Sequence, residues 1–154
     1  KLLDQNILDM YVNDFIKVCE LYKTNSIDLR PHPASDPNSN YASQIAEVLI
    51  SKGINCEITS CDSPAIKESE KYICVAGFAS ASLRDIRLFN QSIGVIGFES
   101  VSKHYFRDPK FAFGSSDGID WLNSNGDIVK SNKLNLNGRL SVSEVINKVY
   151  DKPN

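Results

Sequence analysis

The chain has few of the residues that build metal and redox sites. It carries two histidines, His32 and His104, and four cysteines, Cys19, Cys56, Cys61 and Cys74, with no C-x-x-C pair among them. That set does not supply a zinc site and fits a reduced, cytosolic chain. Cys19 falls in a helical pattern and Cys74 in an apolar run, so both are expected to be free, buried thiols. Basic residues are not in excess. Lys and Arg number 17 against 19 Asp and Glu, a formal net charge of −2. Broad nucleic-acid binding has no electrostatic footprint here, although a local pocket for one phosphate stays open. No apolar run reaches the length of a membrane span, and no signal peptide opens the chain. Walker A and G-x-G-x-x-G loops are missing too, as are internal repeats and low-complexity linkers. The first residue is Lys1 rather than Met, from which we expect a segment of a longer protein.

What is present reads as one α/β domain. At 154 residues, with 42% apolar and 23% charged residues, the chain suffices for a single core. Ile7, Leu8, Tyr11, Phe15, Val18 and Tyr22 recur at three- and four-residue steps, the stripe of an amphipathic helix ending near Thr24-Asn25. Ile27 and Leu29 alternate with polar residues in a short strand. A second helix carries Ile45, Val48 and Leu49, with Asn38 or Ser39 as its cap and Gly53 as its stop. A strand over 54–58 and a turn at Cys61-Asp62-Ser63-Pro64 follow. The run 72–76 predicts a strand buried on both faces, central in its sheet. Leu83, Ile86, Leu88 and Phe89 mark a third helix, and 92–98 a further buried strand. The alternation predicts one mostly parallel sheet with right-handed crossovers, a Rossmann-like three-layer sandwich. Beyond His104 the pattern loosens. A short helix over 117–122, a turn at Asn125-Gly126 and a closing helix from the Ser141/Glu144 capping box are expected. Trp121 reads as a core anchor, and His104, beside Lys103 and Arg107, as part of a solvated loop.

Two stretches could carry chemistry. In Arg30-Pro31-His32-Pro33 the strand is stopped by prolines that donate no ladder bond and bias their neighbours toward extended geometry. His32 is thus held at the carboxyl end of a strand, where open α/β sheets place their ligands. A surface Pro-rich loop with an incidental histidine is the alternative. In Gly77-Phe78-Ala79-Ser80-Ala81-Ser82 a buried strand empties into a helix start, whose unpaired N–H groups and partial positive charge suit a phosphate. Ser80 or Ser82 can add a hydroxyl donor, or one of them simply caps its own helix. On one sheet, both stretches would face one crevice. A phosphate held by the helix start could then meet an imidazole that assists its departure.

Strand-Arg-Pro-His-Pro followed by Gly-Phe-x-Ser-x-x-Leu resembles the C-terminal, nucleotide-binding half of bacterial sialyltransferases of the lipooligosaccharide and capsular polysialyltransferase type. The resemblance covers roughly residues 26 to 100. It implies one half of a GT-B fold and inverting transfer from CMP-sialic acid to a glycan acceptor. His32 would be the acid facing the CMP phosphate. Ser80 would be a phosphate ligand. We also expect Pro33, Gly77 and Ser82 around the nucleotide, while Arg30 either points at the phosphate or has a plain surface role. Without a carboxylate cluster beside the phosphate no metal is expected, nor any other cofactor. It further implies a bacterial cytoplasmic enzyme of lipooligosaccharide or capsule synthesis, associated peripherally with the inner face of the membrane when full-length. Three features depart from the family. The adjacent Ser/Thr pair is split here by Ala81, and Pro64-Ala65-Ile66 lacks the acid of the family's Pro-Ala-Glu. No acidic-acidic-Gly motif for the catalytic base precedes His32. Glu57 and Glu68 are the remaining candidates for holding a ribose. A CDP-polyol phosphotransferase of cell-wall synthesis shares the His-Pro and serine features. A non-catalytic Rossmann-like binding module fits the split serines and missing base.

Overall fold

The first helix sets the frame. In a computed structural model that describes residues 2–32, 39–78, 80–105 and 119–131, α1 spans Gln5–Tyr22. Asp4 caps it by accepting the Asn6 N–H at 2.9 Å. Lys23, in the left-handed region at φ 51°, closes it. Ile7 and Leu8 of the expected stripe are buried, its Tyr11, Phe15, Val18 and Tyr22 are half-buried, and Val12 and Cys19 are buried beside them.

Two hydrogen-bonded sheets lie against α1. Strand β1, Ser26–Leu29, pairs in parallel with β2, Asn55–Ile58. Helix α2, Tyr41–Ser51, crosses between them and buries Ile45, Ala46 and Leu49. Its cap is Asn40, without a side-chain bond, and its stop is Lys52 followed by Gly53 at φ +84°. A short helix α3, Ala65–Ser69, leads into β3, Cys74–Gly77. Helix α4, Ala81–Phe89, connects β3 to the parallel strand β4, Gly94–Phe98. Helix α5, Glu99–Tyr105, follows directly. Strand β5, Asp120–Leu122, pairs in parallel with β4 and turns at Asn125-Gly126 into the antiparallel β6, Ile128–Val129. The second sheet therefore runs β3-β4-β5-β6.

Period-two alternation on β4 divides the cores. Val95 faces a cluster with Leu83, Ile86, Ile93, Ile119 and Trp121. Ile96 and Phe98 face the opposite cluster with Val101, Leu122 and the α1 residues Met10, Phe15 and Val18. A third cluster joins α1 to β1, α2 and β2. The chain is thus mixed α/β with parallel-dominated sheets, and the four-stranded sheet is covered on both faces.

Several expectations change. Among the described residues no ladder joins β1 to β3, so their strands form two sheets rather than one, and β3 lies at the edge of its sheet, only half-buried. Residues 120–122 form a strand rather than a helix, because Trp121 and Leu122 must point to opposite faces of the sheet, one into each core. Residues 141–149, the expected closing helix, lie outside the described residues, as do Asn38 and residues 117–118 of that expected helix. All four cysteines are free; Cys19 is buried as expected, but Cys74 only partly so. Among the described residues no helix is long and apolar enough to cross a membrane.

Two measurements test this packing. A Cβ on Gly97 would stand 2.7 Å from the Trp121 ring, which is held in the core. Gly97→Ala should therefore destabilise the fold by about 1–3 kcal/mol, the cost of overpacking, seen as an earlier denaturant midpoint. Asp14, on α1, is 7% exposed and its Oδ2 has no hydrogen-bond partner. Burial pushes its carboxyl up to about 7. The folded state binds this proton more tightly than the unfolded one. Stability is then greatest below about pH 4, falls as pH rises toward 7, and levels off above it. Asp14→Asn should flatten that slope and exceed the wild type at pH 8 by about 2–4 kcal/mol. Unchanged urea titrations across pH 4–8 would contradict it.

Candidate functional site

β1 ends where the sequence predicts. Leu29 is its last residue, and Pro31 can offer no N–H to continue the ladder. His32 follows, exposed at the carboxyl end of the strand; Pro33 lies outside the described residues. The loop after β2 takes over where the ladder stops. The Thr59 N–H donates to the Leu29 carbonyl at 2.8 Å, and the Thr59 hydroxyl to the same oxygen at 3.3 Å. The Cys61 thiol donates to the Pro31 carbonyl at 2.8 Å. Arg30 donates through Nη2 to the Ser63 carbonyl, so this guanidinium nitrogen is turned toward the loop. The Ser63 hydroxyl donates to Glu68, whose other oxygen takes the Lys71 ammonium at 2.6 Å. Bonds from Lys71 first and Ser63 second hold the Glu68 carboxyl below its ordinary range. Glu68 is therefore part of this internal network, and Glu57 stands exposed on β2.

The second stretch is built differently. Gly77 ends β3, and a Cβ placed there would meet nothing within 4 Å. Ser80, extended at φ −143° and ψ 138°, caps α4: its hydroxyl oxygen accepts the Ser82 N–H at 3.2 Å. Its carbonyl accepts the Leu83 N–H at 3.1 Å. Ser82 itself is exposed. Trp121 is buried as a core anchor, and His104 lies on α5 with its ring 5.0 Å from that of Tyr105.

His32 and Ser80 leave different sheets, so no ladder holds them in register. Two links that the sequence did not signal connect their surroundings. The Tyr72 hydroxyl, just before β3, donates to Asp28 of β1 at 2.6 Å. At the carboxyl ends, the Phe78 ring of the Gly77 loop lies 5.7 Å from the ring of Tyr105. Burial first, and then the Tyr41 hydroxyl, push the Tyr105 phenol upward. Tyr41 opens α2, immediately beyond the His32 loop. Tyr105 thus packs beside the Gly77 stretch through Phe78. Among the described residues, no group of three or more His, Cys, Asp or Glu could hold a metal ion.

The chain matches no family model, no curated protein and no solved structure.

The cap itself is open to test. Ser80→Ala should cost about 1 kcal/mol of stability by leaving the Ser82 N–H unpaired. Ser80→Asp should restore it, since aspartate caps at least as well and favours the positive end of α4. Denaturation midpoints in the order Ala below Asp, with Asp at or above the wild type, are the expected result.

Proposed function

We propose that this chain is a Rossmann-like donor-binding domain of the sialyltransferase type, one half of a GT-B glycosyltransferase. It would hold the CMP part of CMP-sialic acid where β1 and β3 end. The observation that supports the reading is the placement of its two stretches: His32 follows the end of the parallel strand β1, and Ser80 caps α4 just past the end of the parallel strand β3.

In this reading the α4 start and the Ser80 hydroxyl hydrogen face the phosphate, and Gly77 leaves room for it. His32 donates a proton or a strong hydrogen bond to the phosphate oxygen as the bond to the sugar breaks. The acceptor hydroxyl attacks the anomeric carbon from the opposite side, deprotonated by a base outside this chain, and the configuration inverts. Arg30 acts behind the site, through the Ser63 carbonyl, rather than as a phosphate ligand. A binding module without catalysis is the second reading. The observation in its favour is that the Ser80 oxygen and the Arg30 guanidinium already have partners within the chain.

Calorimetry with CMP, CMP-sialic acid, CDP and CDP-glycerol separates the readings. CMP and CMP-sialic acid should bind, and Ser80→Asp should abolish binding by repelling the phosphate while keeping its stability. In an enzyme complete with its acceptor half, His32→Ala should lower turnover by about 10²- to 10⁴-fold with a much smaller change in CMP affinity. Preference for CDP-glycerol would point to a polyol phosphotransferase. Binding of none of the four would leave the module.

A further inference from the structure

The loop over 59–63 bonds to every residue of the strand end that leads to His32. Leu29 receives two bonds from Thr59, at 2.8 and 3.3 Å, Pro31 receives the Cys61 thiol at 2.8 Å, and Arg30 reaches the Ser63 carbonyl. The need for such lacing follows from the sequence. Pro31 removes the donor that would hook this segment to a neighbouring strand, and its carbonyl lies past the last ladder pair, Leu29 with Ile58. The Pro31 carbonyl belongs to the same rigid peptide plane as the His32 N–H. A donor that fixes this oxygen therefore fixes the plane from which the imidazole projects. The anchor is itself held: Ser63 donates to Glu68 of α3, and Glu68 pairs with Lys71.

We propose that this loop is the positioning element of His32, and that Cys61 is a positioning residue acting through the Pro31 carbonyl. Its role is that of a hydrogen-bond donor, distinct from the packing role of the buried Cys19. The resonance measurement below is independent of function; the CMP measurement rests on the donor-binding reading.

The test follows the two imidazoles by NMR, His104 serving as the internal reference and His32→Ala assigning the signals. Cys61→Ala should displace the His32 ring signals while those of His104 stay in place. Cys61→Ser retains a donor and should return them to the wild-type positions, which a purely packing role for the sulfur would not do. Thr59→Val, which removes only the hydroxyl donor to Leu29, should give a smaller shift of the same signals and serves should Cys61→Ala not fold. If wild-type protein binds CMP, Cys61→Ala should weaken that binding about three- to tenfold and Cys61→Ser less than twofold. His32 signals unmoved in Cys61→Ala, or in Thr59→Val where Cys61→Ala does not fold, overturn the proposal, as does failure of Cys61→Ser to restore them. Displaced and restored signals in a protein that binds no CMP uphold the positioning role and remove the donor-binding reading alone.

Discussion

Everything in this fold rests on one helix face serving two cores. Among the described residues β1 and β2 form a two-stranded sheet, too little to stand alone in water, and no ladder joins it to the sheet of β3 to β6. Tyr11 and Phe15 of α1 pack both against the cluster of Leu29, Leu49 and Ile54 and against that of Ile96, Phe98 and Leu122. Phe15 meets the fully buried Phe98 edge to face, with ring centroids 5.0 Å apart, a geometry aromatic rings favour. Farther along, the Tyr22 hydroxyl occupies the space a side chain at position 94 would need, so a glycine there lets α1 lie close to the second sheet. The apolar burial of α1 is therefore what couples the sheets, and the Tyr72–Asp28 bond adds a polar tie between strands that do not pair. A buried carboxyl on this same helix, at Asp14, weakens that coupling when it ionises, because burial favours its neutral form.

Much of this was legible because the periodic signals were strong. The α1 stripe, the β1 alternation, the buried run of β4 and the Asn125-Gly126 turn each bury or bend as the sequence dictates. The misreadings share a physical cause: short segments whose fate is decided by neighbours. Three residues around Trp121 give no period, and pairing with β4 makes them a strand. The run before Gly77 looked central because it is apolar, yet pairing on only one side leaves it an edge and Ile73 63% exposed. Helices α3 and α5, of five and seven residues, are too short to announce themselves by periodicity. Within the site, the Ser80 cap and the strand end at His32 could be read from residue types. The lacing by Thr59, Cys61 and Ser63 could not, since it joins positions about thirty residues apart.

That lacing changes how the two prolines are understood. Proline alone narrows φ at its own position and biases the residue before it, but it does not orient a peptide plane against the rest of the molecule. Orientation comes from acceptors that find donors, and the carbonyls at 29 and 31 find them on the loop after β2. The sequence brings the stiffness and the tertiary structure brings the direction. His32 needs both before its imidazole can serve a fixed target.

The Ser80 loop raises the complementary question of what capacity is left for a ligand. A serine hydroxyl has one hydrogen to donate and two lone pairs to accept with. At Ser80 one lone pair takes the Ser82 N–H, and the Leu83 N–H is taken by the Ser80 carbonyl, so two of the first-turn amides are satisfied within the chain. An anion at this helix start would then be met chiefly by the Ser80 hydroxyl hydrogen and the partial positive charge of α4. Alternatively the cap opens, which leaves the Ser82 amide to the anion and costs the capping energy. A closely spaced pair of hydroxyls would avoid this conflict, one capping and one donating. With Ala81 between Ser80 and Ser82, the capping hydroxyl of Ser80 has no adjacent hydroxyl to share the task. The split of the serines is thus a physical constraint on any anion affinity at this helix start rather than a detail of resemblance.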